Sequence, residues 1–211
     1  MPIRTRVPGA HTVFSFLAAA AAARRLGMEW KEIREAMESV QLVARQQVLH
    51  GPQNMLIIDD SYNAAPMSMN AALDLLRASS GTKIAVLGDM LELGAQQEEA
   101  AHRSVGERVA EVADWLIVRG PRSQWLAQAA QRKGLPRSHV VRAENNAEAV
   151  AAVQEIVSGG GHRGEVADRP TMQRASAGVK REQSGARWSV LVKGSRGMRM
   201  EEVVQGLRGE T

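Results

Sequence analysis

Cysteine is absent from all 211 residues, which excludes a disulfide framework and thiol catalysis. Aromatic residues make up only 3% of the chain. Its four tryptophans, Trp30, Trp115, Trp125 and Trp188, are too scattered to build a base-stacking platform. No G-x-x-x-x-G-K-S/T phosphate loop occurs, and Lys193-Gly194-Ser195 has the needed glycine and lysine in reverse order. Long apolar runs are missing too. The longest, Val13 to Ala23, contains Ser15 and ends at Arg24-Arg25, short of the ~20 residues that span a bilayer. Arg4 and Arg6 ahead of it imitate a signal peptide, but alanine is weakly hydrophobic and a charged helix follows. His11 and His102 stand in no metal-ligand spacing, so no protein-built metal site is expected. What remains, with 44% hydrophobic residues, reads as a soluble cytoplasmic domain with one sizeable core.

The net charge of +4 invites a nucleic-acid reading, but the excess is local. Residues 158–187 hold Arg163, Arg169, Arg174, Lys180, Arg181 and Arg187 against Glu165, Asp168 and Glu182, which accounts for +3 of that total. The segment contains Gly159-Gly160-Gly161 and no aromatic residue, so neither a core nor base stacking is supported. A disordered insertion is expected there, with no nucleic-acid partner.

Three turns concentrate polar chemistry at the ends of apolar runs. In Ile57-Ile58-Asp59-Asp60-Ser61-Tyr62-Asn63-Ala64-Ala65-Pro66, two carboxylates, a hydroxyl, a phenol and an amide follow a strand, and Pro66 suits the first turn of a helix. Open parallel sheets bind ligands at this position, outside the carboxyl ends of their strands. The competing reading is an acidic turn in which Ser61 or Asn63 caps the next helix. Val190-Leu191-Val192-Lys193-Gly194-Ser195-Arg196 repeats the arrangement with a basic turn, where glycines let backbone amides approach an anion and Lys193 and Arg196 add charge. Leu87-Gly88-Asp89-Met90-Leu91-Glu92-Leu93-Gly94 is the third.

Helices are expected at about 11–26 and 29–39, broken by Gly27, with Ile33, Met37 and Val40 on one stripe of a helical hairpin. Strands at about 54–59, 83–88, 114–118, 139–142 and 188–193 then alternate with helices at about 67–79, 96–112, 121–133, 146–157 and 198–208. That alternation predicts an α/β fold, a mostly parallel sheet with helices on both faces. Asn145-Asn146 offers a helix cap, and Gly134-Leu135-Pro136 ends the helix before it.

The order Asp59-Asp60-Ser61-Tyr62-Asn63-Ala64, Gly88-Asp89-Met90-Leu91-Glu92-Leu93-Gly94, His102 with Val105-Gly106, then Lys193-Gly194-Ser195-Arg196 with Met200-Glu201, resembles the C-terminal part of the Mur ligase family. The branch is the one that joins D-alanyl-D-alanine to UDP-N-acetylmuramoyl-tripeptide in peptidoglycan synthesis. Pro8-Gly9-Ala10-His11-Thr12-Val13 and the alanine-rich helix look like the end of that family's central ATPase domain. The resemblance thus implies residues 1–42 as the tail of a central domain and residues 43–211 as a Rossmann-like C-terminal domain carrying the insertion at 158–187. It implies ATP and Mg²⁺ as cofactors of a complete enzyme whose N-terminal and central domains, the latter with the phosphate loop, are missing here. On this view the chain is a fragment, inactive alone, and no catalytic residue is assigned. Asp60, with Ser61, would hold the ribose hydroxyls and Arg45 would touch the nucleotide phosphates. Tyr62, Asn63, Asp89, Lys193, Ser195 and Arg196 would line the dipeptide side. The alternative is a non-catalytic Rossmann-like binding module.

Two departures from the family pattern bear on activity. His11-Thr12 followed by Ser15 stands where the family shows His-Asn and then Asn. A hydroxyl cannot span the donor and acceptor contacts an amide makes with an adenine edge. Val43-Ala44-Arg45 replaces the family's Pro-Gly-Arg hinge.

Overall fold

In the computed structural model, Ile3 and residues 12–40, 47–159 and 185–210 are described. Helices α1 (Thr12–Arg25) and α2 (Trp30–Ser39) form the expected hairpin. Ala20 of α1 packs on Ile33 and Met37 of α2, with Phe16 and Ala23 beside them. The break at Gly27 is closed by Met28 N–H donating to Ala23 O at 3.1 Å, a Schellman-type helix end. Glu29 N–H then donates to Glu32 Oε2 at 2.7 Å and opens α2.

Beyond the hairpin the chain builds one six-stranded sheet in the order β1-β2-β6-β3-β4-β5. Its strands are β1 (Gln47–Gly51), β2 (Met55–Asp60), β3 (Thr82–Gly88), β4 (Trp115–Arg119), β5 (Val140–Ala143) and β6 (Trp188–Lys193). All neighbours pair in parallel except β1 with β2. The helices are α3 (Pro66–Ala78), α4 (Glu98–Val112), α5 (Ser123–Arg132), α6 (Asn146–Ser158) and α7 (Glu201–Arg208). Successive side chains of each strand go to opposite faces, and both faces are covered. Ala85, Leu87 and Leu191 pack under α3, α4 and α5, while Ile84, Val86, Val190 and Val192 pack under α6 and α7. Each of these leucine, isoleucine and valine side chains contributes about 1.5–3 kcal/mol on burial.

Two features differ from the expectation. The sequence reading placed no element in residues 41–51, yet β1 pairs antiparallel with β2. Its turn holds Gln53 and Asn54 at φ of 56° and 58°, with Met55 N–H donating to Pro52 O at 3.2 Å, a type I′ hairpin geometry. As an edge strand with mostly exposed side chains, β1 has little apolar alternation to announce it. At the other end, the helix expected from residue 198 begins at Glu201. Arg196–Met198 form a 3₁₀ turn and Arg199 is left-handed at φ 51°. Asn146 Nδ2 holds that turn by donating to Met198 O and Arg199 O at 3.2 and 2.9 Å. Arg45, the expected boundary at 42/43 and most of the segment 158–187 lie outside the described residues.

Candidate functional site

The topology makes a crevice before any side chain is considered. From β2, β3 and β4 the chain exits to α3, α4 and α5 on one face, whereas β6 exits to α7 on the other. Because β6 lies between β2 and β3, the connections part on either side of its carboxyl end, the switch point where open α/β sheets accept ligands. The three polar turns of the sequence converge there. Ser195 stitches them together: its N–H donates to Asp89 O at 3.0 Å, its Oγ accepts from Leu91 N–H at 2.8 Å and reaches Ala64 O at 3.5 Å.

A cleft of about 180 Å³ opens between β2 and β6, lined by Asp60, Tyr62, Asn63, Ala65, Ser68 and Lys193 among others. Asp60 and Lys193 are register partners at the ends of their strands. Lys193, 1% exposed, donates to Asp60 Oδ2 at 2.6 Å and to Asn63 O at 2.7 Å. Arg196 is exposed and its guanidinium stands 5.3 Å from the centroid of the Tyr62 ring, within cation–π range. Tyr62 itself is 40% exposed. Asn63 spans the rim, Oδ1 accepting from Ala64 N–H at 2.8 Å and Nδ2 donating to Glu92 Oε2 at 3.3 Å. A depression of about 220 Å³ at the opposite end of the sheet is lined by Pro52, Gln53, Met55, Val157 and Leu207 among others. Among the described residues no titratable side chain lines it, so chemistry favours the smaller cleft.

Not every expected site residue faces that cleft. Asp89 is 1% exposed; Oδ1 accepts from Ser123 N–H at 2.6 Å and Oδ2 from Arg122 N–H at 3.1 Å. It therefore reads as the cap of α5 rather than a ligand contact. Gly120, at φ +105°, lies against that carboxylate, where a Cβ would stand 2.6 Å from its Cγ and Oδ2. Ser61 is buried and turned inward, its N–H and Oγ–H both donating to Asp59 Oδ1 at 3.0 and 2.6 Å. Neither Ser61 nor Asn63 caps α3, so the capping alternative fails; Ser68 Oγ instead accepts from Ala65 N–H at 3.1 Å. Lys193 and Ser195 are buried in the loops they join. Gly194 serves packing rather than anion approach, since a Cβ there would meet Met200 Cγ at 2.7 Å and Gly88 Cα at 3.2 Å. Among the described residues, 196, 62 and 63 are the expected contacts left accessible at the rim, with Asp60 at 6% exposure just below.

His102 is fully buried and holds the third turn. Its Nε2 accepts from Met90 N–H at 3.0 Å, which leaves Nδ1–H to donate to Glu98 O at 2.6 Å. Its place is structural: it ties the third turn to α4. Ser68, Ala65 and Glu92 were not singled out. Ser68 carries a sequence signal, standing three residues after Ala65 at the start of α3; Glu92 could be linked to Asn63 only through the tertiary fold.

The sequence profile described as Mur ligase, glutamate ligase domain, matches residues 44–196. The chain belongs to the Mur ligase family. It is 32% identical over 203 residues to the UDP-N-acetylmuramoyl-tripeptide–D-alanyl-D-alanine ligase of Escherichia coli, covering 96% of this chain and 38% of that protein. The ligase of the same description from Treponema pallidum is also 32% identical, over 99% of this chain and 39% of its own. A crystal structure of MurF from Acinetobacter baumannii superposes with a TM-score of 0.76 at 26% identity, covering 98% of this chain and 40% of that one. The sequence thus spans 38–39% of the length of these two curated Mur ligases. Among the described residues no helix is long and apolar enough to cross a membrane.

Proposed function

We propose that the chain provides the C-terminal part of an ATP-dependent, amide-forming ligase that joins D-alanyl-D-alanine to UDP-N-acetylmuramoyl-tripeptide in the cytoplasm. The carrying observation is the polar cleft at the β2/β6 switch point, within a chain that is similar along nearly its whole length to ligases of that description. Residues 1–42 would belong with a central domain and residues 43–211 would form the closing domain.

The described residues fit the nucleoside and dipeptide ends of such a site and not the end that holds the β and γ phosphates. Asp60 offers a carboxylate suited to two adjacent ribose hydroxyls, and Ser61 acts through Asp59. Arg196, held over Tyr62, is the accessible cation for the dipeptide carboxylate, and Tyr62 and Asn63 provide its aromatic and amide walls. Arg45 would meet the nucleotide phosphates. Nothing in the sequence forms a phosphate loop, and among the described residues no cluster of three or more metal-ligating side chains exists. The Mg²⁺ and the β and γ phosphates would therefore be held by other domains. Bound ATP supplies the phosphoryl group that turns the tripeptide carboxylate into an acyl phosphate, making a poor electrophile reactive. This chain's own work is to orient the incoming amine and exclude water as the domain closes.

The test is a chimera in which residues 43–211 replace the matching part of the Escherichia coli ligase. Arg196→Ala should raise the KM for the dipeptide about ten- to hundredfold, the loss of a charge-assisted hydrogen bond. Asp60→Asn should raise the KM for ATP and leave turnover nearly unchanged, because such a contact exists in ground and transition states alike. An active chimera in which neither constant moved would remove the site assignment.

A further inference from the structure

We infer that Lys193 is a positioning residue, which fixes Asp60 and the Asn63–Ala64 turn toward the nucleotide and does not itself meet the dipeptide. This rests on the reading of the cleft proposed above. A lysine beside a glycine-serine turn at a strand end invites assignment as an anion-binding cation. Its surroundings argue otherwise. The side chain is 1% exposed, and its Nζ is set among Asp60 Oδ2 at 2.6 Å, Asn63 O at 2.7 Å and Asp60 O at 3.5 Å. An ammonium has three protons to donate, and three oxygens of the β2–α3 connection stand within reach. A substrate carboxylate arriving at Nζ would have to displace Asp60 Oδ2 and bring a second negative charge beside it, at an almost wholly buried ammonium.

The geometry works in the opposite direction. Asp60 closes β2, and the chain turns through residues 61–64 before Pro66 starts α3. Asn63 carries no regular backbone pairing, and its carbonyl is taken by the lysine. One ammonium thus ties the last strand residue to a carbonyl three residues on, setting both the carboxylate's orientation and the height of the Tyr62–Asn63 rim. Sheet stability alone would not ask for this, because an apolar pair of similar volume often serves a buried position as well. Arg196, three residues further along and exposed, is left as the cation for the dipeptide.

The experiment uses the whole 211-residue chain, labelled with ¹⁵N, as wild type, Lys193→Met and the doubly neutral Lys193→Met/Asp60→Asn. Amide hydrogen exchange is read at Ser61 to Ala64 and at Ile84 to Leu87 of β3, and AMP and D-alanyl-D-alanine are titrated separately by chemical-shift change. Lys193→Met should accelerate exchange at Ser61 to Ala64 about tenfold beyond any change at β3, weaken AMP by about tenfold and leave the dipeptide within about twofold. If the single variant fails to fold, the double variant, which buries no uncompensated charge, is read for the same local loosening. Weakened dipeptide with unchanged AMP would overturn the inference and make Lys193 a direct ligand. Loss of protection in equal measure at the turn and at β3 would overturn it in favour of a purely structural pair. A wild-type chain that shows no shifts with AMP would count against the proposed nucleotide contact, while the exchange at Ser61 to Ala64 would still decide the role of Lys193.

Discussion

Replacing Asp89 by alanine should cost fold stability rather than ligand affinity. Its two carboxylate oxygens accept the N–H groups of Arg122 and Ser123 at the start of α5. Those amides have no intrahelical partner by construction. Ser123 is fully buried, so its N–H would be left without water as a substitute, at about 1–3 kcal/mol. Loss of the cap and of a negative charge at the helix N-terminus adds about 0.5–2 kcal/mol. The sum is roughly 1.5–5 kcal/mol, for which the melting temperature of a chain this size should fall by roughly 3–20 °C. Asp89→Asn keeps one acceptor oxygen but turns an NH₂ toward the second amide, so its loss should lie between wild type and alanine. Thermal unfolding followed by far-ultraviolet circular dichroism gives the shift, and hydrogen exchange at Arg122 to Leu126 locates it. An Asp89→Ala protein within about 0.5 kcal/mol of wild type, the range of ordinary surface changes, would refute the capping argument and return Asp89 to the candidate ligands.

Gly194→Ala would drive a methyl into Met200 and against the backbone of Gly88; overpacking of this kind costs about 1–3 kcal/mol, readable as a lower urea midpoint. His102 should be the Nδ1–H tautomer, because Nε2 is occupied by the Met90 N–H; long-range ¹H–¹⁵N couplings of the imidazole report this, and an Nε2–H pattern would contradict it. His102→Leu orphans that amide and should destabilise by about 1–3 kcal/mol, with the exchange of Met90 and Leu91 accelerating first. The 211 residues by themselves should release no phosphate from ATP when given both UDP-N-acetylmuramoyl-tripeptide and D-alanyl-D-alanine, since they contain no phosphate loop; release dependent on both substrates would overturn the proposed division of labour.

The parallel strands and their helices were legible because both faces of the sheet are covered. Residues 84–87 and 190–192 then read as continuous apolar runs, and the intervening helices carry their own caps and breakers, such as Asn145 accepting from Glu148 N–H at 2.9 Å. The three polar turns were legible for a related reason: a parallel sheet places every strand end on one side, so polar clusters that follow apolar runs must gather there. β1 escaped notice because an edge strand exposes most of its side chains and owes its place to the hydrogen bonds of β2. Sequence also could not rank the polar residues. Lys193 and Arg196 stand three positions apart in one basic turn, and only the crossing of β6 between β2 and β3 buries the first against Asp60 while leaving the second over Tyr62. Asp89 and Asp60 each follow an apolar strand, yet one is consumed by the amides of α5, an element more than 30 residues later in the chain, and the other lines the cleft. Local pattern determined which elements form and at which end chemistry collects; long-range packing decided which charges are spent inside the fold and which remain for a ligand, because burial and pairing depend on neighbours the sequence does not place side by side.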